Sequence, residues 1–203
     1  MKWTAVGLLV AALSAQDEEL KPVDAEFARG IAERLIQETG SFEKPVFTID
    51  ADPAKAVGLH IPDKMGLLVV PQKDVKEGES DEHRDAKGKR LGYLFFYRMV
   101  PAPEGKALDA SKLHAVKISN DEGKSFTIPV LLLSVRRVND DWRLYGFGKD
   151  EKPVIDVKLS GGNGPGETPV GIQMKEVAGR KDTLVVTLFD KYQAAVPVAR
   201  LKD

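Results

Sequence analysis

Asp81-Glu82-His83-Arg84-Asp85 gathers three carboxylates and an imidazole into five consecutive residues, the kind of donor set a divalent cation needs. Neutral imidazole with carboxylates suits zinc or manganese, and carboxylates alone suit calcium. Asp81, His83 and Asp85 are therefore the candidate metal ligands, and an exported hydrolase or metal-dependent enzyme built on them is the enzymatic reading of the chain. Two features weigh against it. No second histidine follows at i+2, i+3 or i+4, and no glycine stands where an EF-hand loop turns. The whole stretch 72–90 is strongly charged, which equally describes a solvated loop between two apolar strands.

Tyr93-Leu94-Phe95-Phe96-Tyr97 places Tyr93, Phe95 and Tyr97 on one strand face and Leu94 and Phe96 on the other. Two apolar faces mark a central, buried strand, and the same aromatic face is alternatively a ligand wall. Arg136 and Arg137 point to opposite faces of a strand rich in Leu and Val, so one of them approaches apolar surface. Such an arginine needs a carboxylate or an anionic ligand; Asp140, Asp141 and Glu151 are the carboxylates close by in sequence. Trp142 and Tyr145 fall on opposite faces of the next strand, Trp142 serving either as core or as a stacking platform. Tyr93, Phe95, Tyr97, Arg136, Arg137 and Trp142 make up the candidate ligand-binding set.

The remaining inventory for catalysis is thin. The chain contains no Gly-x-Ser-x-Gly elbow, no His-Glu-x-x-His and no phosphate-binding Gly-x-x-x-x-Gly-Lys-Ser/Thr. The glycines at 161, 162, 164 and 166 are not followed by a helical pattern, so they lack the helix N-terminus of a phosphate cradle. His60 stands before Ile61-Pro62 in an extended turn and His114 opens a strand. The acidic turns at 120–122 and 139–141 lie at opposite ends of one long strand, which keeps them from sharing a cation.

Residues 1–15, MKWTAVGLLVAALSA, read as an export signal: a basic start at Lys2, an apolar run, and small residues at Ser14 and Ala15 where a peptidase cuts. The run is shorter than the roughly 20 residues that span a bilayer, so no transmembrane anchor remains after cleavage. The chain of 203 residues carries 30 Lys and Arg against 31 Asp and Glu. That balance offers no field to attract nucleic acid or anionic lipid. There is no cysteine, so an exported fold stands on its core without disulfides, thiolate zinc sites or iron–sulfur clusters. These features suit a periplasmic or secreted protein.

Positioning these residues falls to one helix and a series of strands. Over 24–39, Phe27, Ile31 and Leu35 recur four apart beside Ala28, Ala32 and Ile36, which predicts an amphipathic helix capped by Asp24 and stopped by Gly40 in the left-handed conformation. Gly30 within it costs about 1 kcal/mol relative to Ala, unless it permits close packing. From 45 onward, short β-branched and aromatic runs alternate with Gly, Pro, Asn and Asp. They predict strands at 46–49, 66–70, 91–100, 113–119, 125–138, 142–148, 154–159, 169–177, 183–190 and 194–200, joined by hairpins at 120–123, 139–141 and 178–181. Pro129 predicts a bend, bulge or edge within the fifth.

The expected fold is α+β and mainly antiparallel, a sandwich or partly open barrel with one N-terminal amphipathic helix, forming a single domain over 16–203. The expected function is a non-enzymatic binding or interaction module of the cell envelope or external medium. It would hold a small apolar or anionic ligand, or a protein partner, through the sheet face and the 72–90 loop. No organic cofactor is implied, and a divalent metal only through the 81–85 cluster. A structural envelope protein that assembles through its sheet edges is a third reading.

Overall fold

The computed structural model describes residues 19–76, 87–119, 123–161 and 168–201. Helix α1 (Ala25–Thr39) begins where Asp24 Oδ1 accepts hydrogen bonds from the backbone N–H groups of Glu26 at 2.9 Å and Phe27 at 3.2 Å. It buries Ala28, Ala32 and Leu35. Gly40 does not stop the helix in the left-handed region: its φ is −60° and ψ −18°. Hydroxyls terminate it instead, with Thr39 Oγ1 donating to the Ile36 carbonyl at 2.7 Å and Ser41 Oγ to that of Glu38 at 2.6 Å. These bonds satisfy carbonyls that a helix end leaves without partners.

The strands are β1 (Lys21–Pro22), β2 (Val57–Ile61), β3 (Met65–Pro71), β4 (Lys89–Tyr97), β5 (Met99–Pro101), β6 (His114–Ser119), β7 (Ser125–Val138), β8 (Asp141–Phe147), β9 (Ile155–Lys158), β10 (Ser160–Gly161), β11 (Val170–Val177), β12 (Arg180–Leu188) and β13 (Tyr192–Arg200). All pairs among them are antiparallel. An eight-stranded sheet runs β1-β2-β3-β4-β7-β8-β9, with β6 also on β7, and a five-stranded sheet runs β10-β13-β12-β11, with β5 also on β13. With α1, this is the open, mainly β sandwich that the strand pattern predicts.

Local chemistry explains the joints. Val138 pairs with Asp141 across Asn139 and Asp140, whose φ values of 49° and 67° make the two-residue left-handed hairpin turn that matches strand twist. β4 and β5 continue one apolar run, but Arg98 between them has φ 55°, so the chain leaves the first sheet and joins the second. Strands that switch sheets in this way make the corners of a sandwich. On β7 the ladder to β4 ends at Val130, immediately before Pro129, which lacks the donor to extend it.

The 46–49 run is no strand. Phe47 and Ile49 are buried, yet the segment's carbonyls are met by side chains: Lys87 Nζ donates to Val46 at 3.1 Å and Arg90 Nη1 to Thr48 at 2.9 Å. The strand at 57–61, in contrast, includes His60, which pairs with Gly66 and Lys21 in place of the expected turn.

Two cores follow from the period-two alternation of the strands. Leu67, Val69, Leu94, Phe96, Leu131 and Leu133 face the five-stranded sheet and meet Leu184, Val186 and Val196. Leu68, Val70, Tyr93, Phe95, Val130 and Leu132 point the other way and meet Ala28, Ala32 and Leu35 of α1. The first sheet is thus buried on both faces, by the second sheet and by the helix. No helix among the described residues is long and apolar enough to cross a membrane.

Candidate functional site

Alternation along the strands of the second sheet keeps its inward positions apolar until the strand ends. β12 runs Leu188, Val186, Leu184 inward, and β13 runs Ala194, Val196, Val198 inward. The next residues in phase are Asp182 and Arg200. Their side chains stand 3.8 Å apart, Nη2 to Oδ1, a loose ion pair that leaves donors for another acceptor. On β11, Ile172 and then Met174 continue the core face before a register shift between Lys175 and Val177, which twists the strand end away.

The result is an open hollow of about 520 Å³ at the end of the sandwich. It is lined by Glu19, Leu20, Met174, Lys175, Glu176, Lys181, Asp182 and Arg200. Leu20 and Met174 pack on the edge of the inter-sheet core and supply the apolar floor. Cations and carboxylates form the rim. An apolar floor with a charged rim suits a ligand that is apolar at one end and charged at the other. Sequence reading passed over this site, although one signal was present: Asp182 and Arg200 are charged residues in phase with the buried face of their strands.

A second hollow, of about 580 Å³, lies along α1 and is lined by Asp24, Glu26, Phe27, Gly30, Ile31 and Arg34. Phe27 is 55% exposed, one of two large apolar side chains standing in solvent among the described residues, the other being Leu201. Its ring lies 6.4 Å from that of His60.

The residues expected to bind a ligand are distributed through the fold. Tyr93 and Phe95 are 5% and 2% exposed in the core beneath α1, and Tyr97 is partly buried at its margin. Trp142 packs against the inter-sheet core and Tyr145 against the other, so the two do occupy opposite faces. Arg137 pairs with Asp140 at 3.1 Å in solvent, while Arg136 is half-buried. Asp141 and Glu151 are engaged elsewhere, with Lys158 at 2.7 Å and Lys87 at 3.5 Å. The structure does not bring the arginines and the aromatic face of β4 into one hollow among those described.

Asp81, His83 and Asp85 lie outside the described residues. Among the described residues, no group of three or more His, Asp or Glu is placed to hold a metal ion. His114 is buried, with Nε2 making no hydrogen bond, and Phe42 is stacked on its ring at 4.5 Å. Burial, and next the charge of Lys149, hold its pKa below the ordinary 6.5, against a backbone hydrogen bond with Gly148. This is a neutral histidine packed into the helix-side core.

Comparison of the chain with protein-family models, with curated proteins and with solved structures finds no match to any of them.

Proposed function

We propose that the protein is an exported, non-enzymatic binding module that takes an amphipathic ligand at the open end of its sandwich. The apolar group of the ligand rests on Leu20 and Met174, and its anionic end meets Arg200. Export follows from the leader-like residues 1–15 and suits the cysteine-free composition.

The observation that carries the reading is the pair of charges, Asp182 and Arg200, exposed at the mouth of the hollow and in phase with the apolar core row that ends there. Charges in phase with a core are costly unless they meet solvent, each other or a ligand. Here the hollow gives access to all three, and the 3.8 Å separation leaves Arg200 able to trade its carboxylate for a ligand's. Lys175 and Lys181 stand on the rim with Arg200, and Glu19, Glu176 and Asp182 balance them and provide for a ligand that also carries an amine.

The test uses anilinonaphthalene sulfonate, an apolar anion whose fluorescence rises on burial, titrated into the folded protein. Saturable binding is expected, weakened about tenfold or more by Met174→Glu, which places a charge on the floor, and by Arg200→Glu. Binding that neither substitution changes contradicts the assignment.

A further inference from the structure

Gly30 occupies the middle of α1, where Ala would be the better helix former. Among the described residues nothing crowds it: a Cβ built there meets no atom within 4 Å. Beside it, Phe27 stands in solvent, and among the described residues the hollow along this face is lined by α1 and its N-cap Asp24.

We infer that this face of α1 binds a second copy of the same chain, the two helices crossing in antiparallel sense about a twofold axis at Gly30 and Ile31. The order of the residues carries the choice of partner. The face reads acidic at Asp24 and Glu26, apolar at Phe27, Gly30 and Ile31, and basic at Arg34. A twofold axis reverses that order on the facing copy. It sets Gly30 against Gly30 and Ile31 against Ile31, and it brings Arg34 of each copy over Phe27 of the other, with Glu26 in reach.

A guanidinium over an aromatic ring is attractive, and the acidic and basic ends meet their complements. Arg34 is exposed and makes no ion pair among the described residues, so its charge is available. Helices that cross at about −50° touch over their central turns only, so the ends bearing Glu38 diverge and do not oppose Asp24. The small size of Gly30 brings the backbones close at the crossing point.

One helix face buries a few hundred square ångströms per copy, below the roughly 800 Å² per partner of a stable complex. The dimer therefore dissociates on dilution. Sedimentation velocity across the micromolar range tests it on the whole protein. Wild type is expected to pass from monomer to dimer as concentration rises. Phe27→Ala and Arg34→Glu each weaken that association about tenfold or more, and Glu26→Arg combined with Arg34→Glu recovers the charge pair but not the cation–ring contact, so it binds more tightly than Arg34→Glu alone and less tightly than wild type.

Because the chain has no cysteine of its own, Gly30→Cys provides a second readout: oxidation links two copies through the axis. A monomer at every concentration, a dimer indifferent to Phe27→Ala and Arg34→Glu, or a Gly30→Cys protein that fails to cross-link overturns the inference. None of these substitutions touches the sandwich hollow, so loss of the dimer leaves ligand binding there to stand or fall separately.

Discussion

The ring of Phe42 lies 4.5 Å from the imidazole of His114 at an interplanar angle of 17°, a stacked pair that closes the helix-side core over the start of β6. Phe42 also meets Tyr93 edge-on at 6.4 Å, so the turn after α1 is pinned to the central strand through an aromatic chain. The neutral form of His114 belongs to this arrangement, because burial removes the solvent that a charged imidazole needs.

Stability should consequently fall on acidification. The folded state holds the His114 proton less readily than the unfolded state, so the stabilisation is complete above the ordinary pKa of 6.5 and is lost as pH drops through the depressed folded value. Thermal unfolding measured on both sides of pH 6.5 checks this, with His114→Gln expected to flatten the dependence in that window. An equal pH slope in the variant assigns it to other groups.

Helix α1 is bound to the sheet by one stripe and not by its exposed face. Leu35, 2% exposed between the helix and the sheet, should cost about 2–5 kcal/mol when cut to Ala. Phe27→Ala should change monomer stability by no more than about 0.5 kcal/mol. Urea unfolding of dilute protein separates the two, and similar losses for both would contradict docking of α1 through its buried stripe alone.

Two glycines should respond in opposite directions to Ala. Gly92 has φ 149°, and a Cβ there runs into the Val70 carbonyl and comes within 2.9 Å of Pro71 Cα, at the point where the β4–β7 ladder shifts register. Gly92→Ala should therefore destabilise by about 1–3 kcal/mol or more. Gly30→Ala should stabilise the monomer by up to about 1 kcal/mol, since the helix gains and nothing obstructs the methyl group. Midpoints of denaturation at low concentration give both signs.

Much of this architecture is legible in the sequence, because it depends on local pattern. Asp24 announces α1, Asn139-Asp140 announces a hairpin, and the two-sided apolar run at 93–97 announces a strand covered on both faces. What escapes is set by partners distant in the chain. Whether 46–49 joins a ladder depends on Lys87 and Arg90 reaching its carbonyls, and whether 91–100 is one strand depends on Arg98 turning into the second sheet. His60 reads as a turn residue beside Pro62, yet pairing with Lys21 and Gly66 extends it.

The sites follow the same rule. Singly notable residues such as Trp142, Tyr93 and Arg137 are easy to pick out, and the structure gives them to packing or to a solvent ion pair. Asp182 and Arg200 draw no notice in sequence because each ends an ordinary strand. Only the pairing of β12 with β13, Leu184 opposite Val196, brings their phases into register at one mouth.

Native mass spectrometry of the protein purified from the cells that make it, set beside the Met174→Glu variant prepared identically, tests the proposed ligand site most directly. The account predicts a non-covalent added mass on the wild-type chain that the variant loses. A bare wild-type chain, or an added mass that Met174→Glu retains, contradicts binding at the open end of the sandwich.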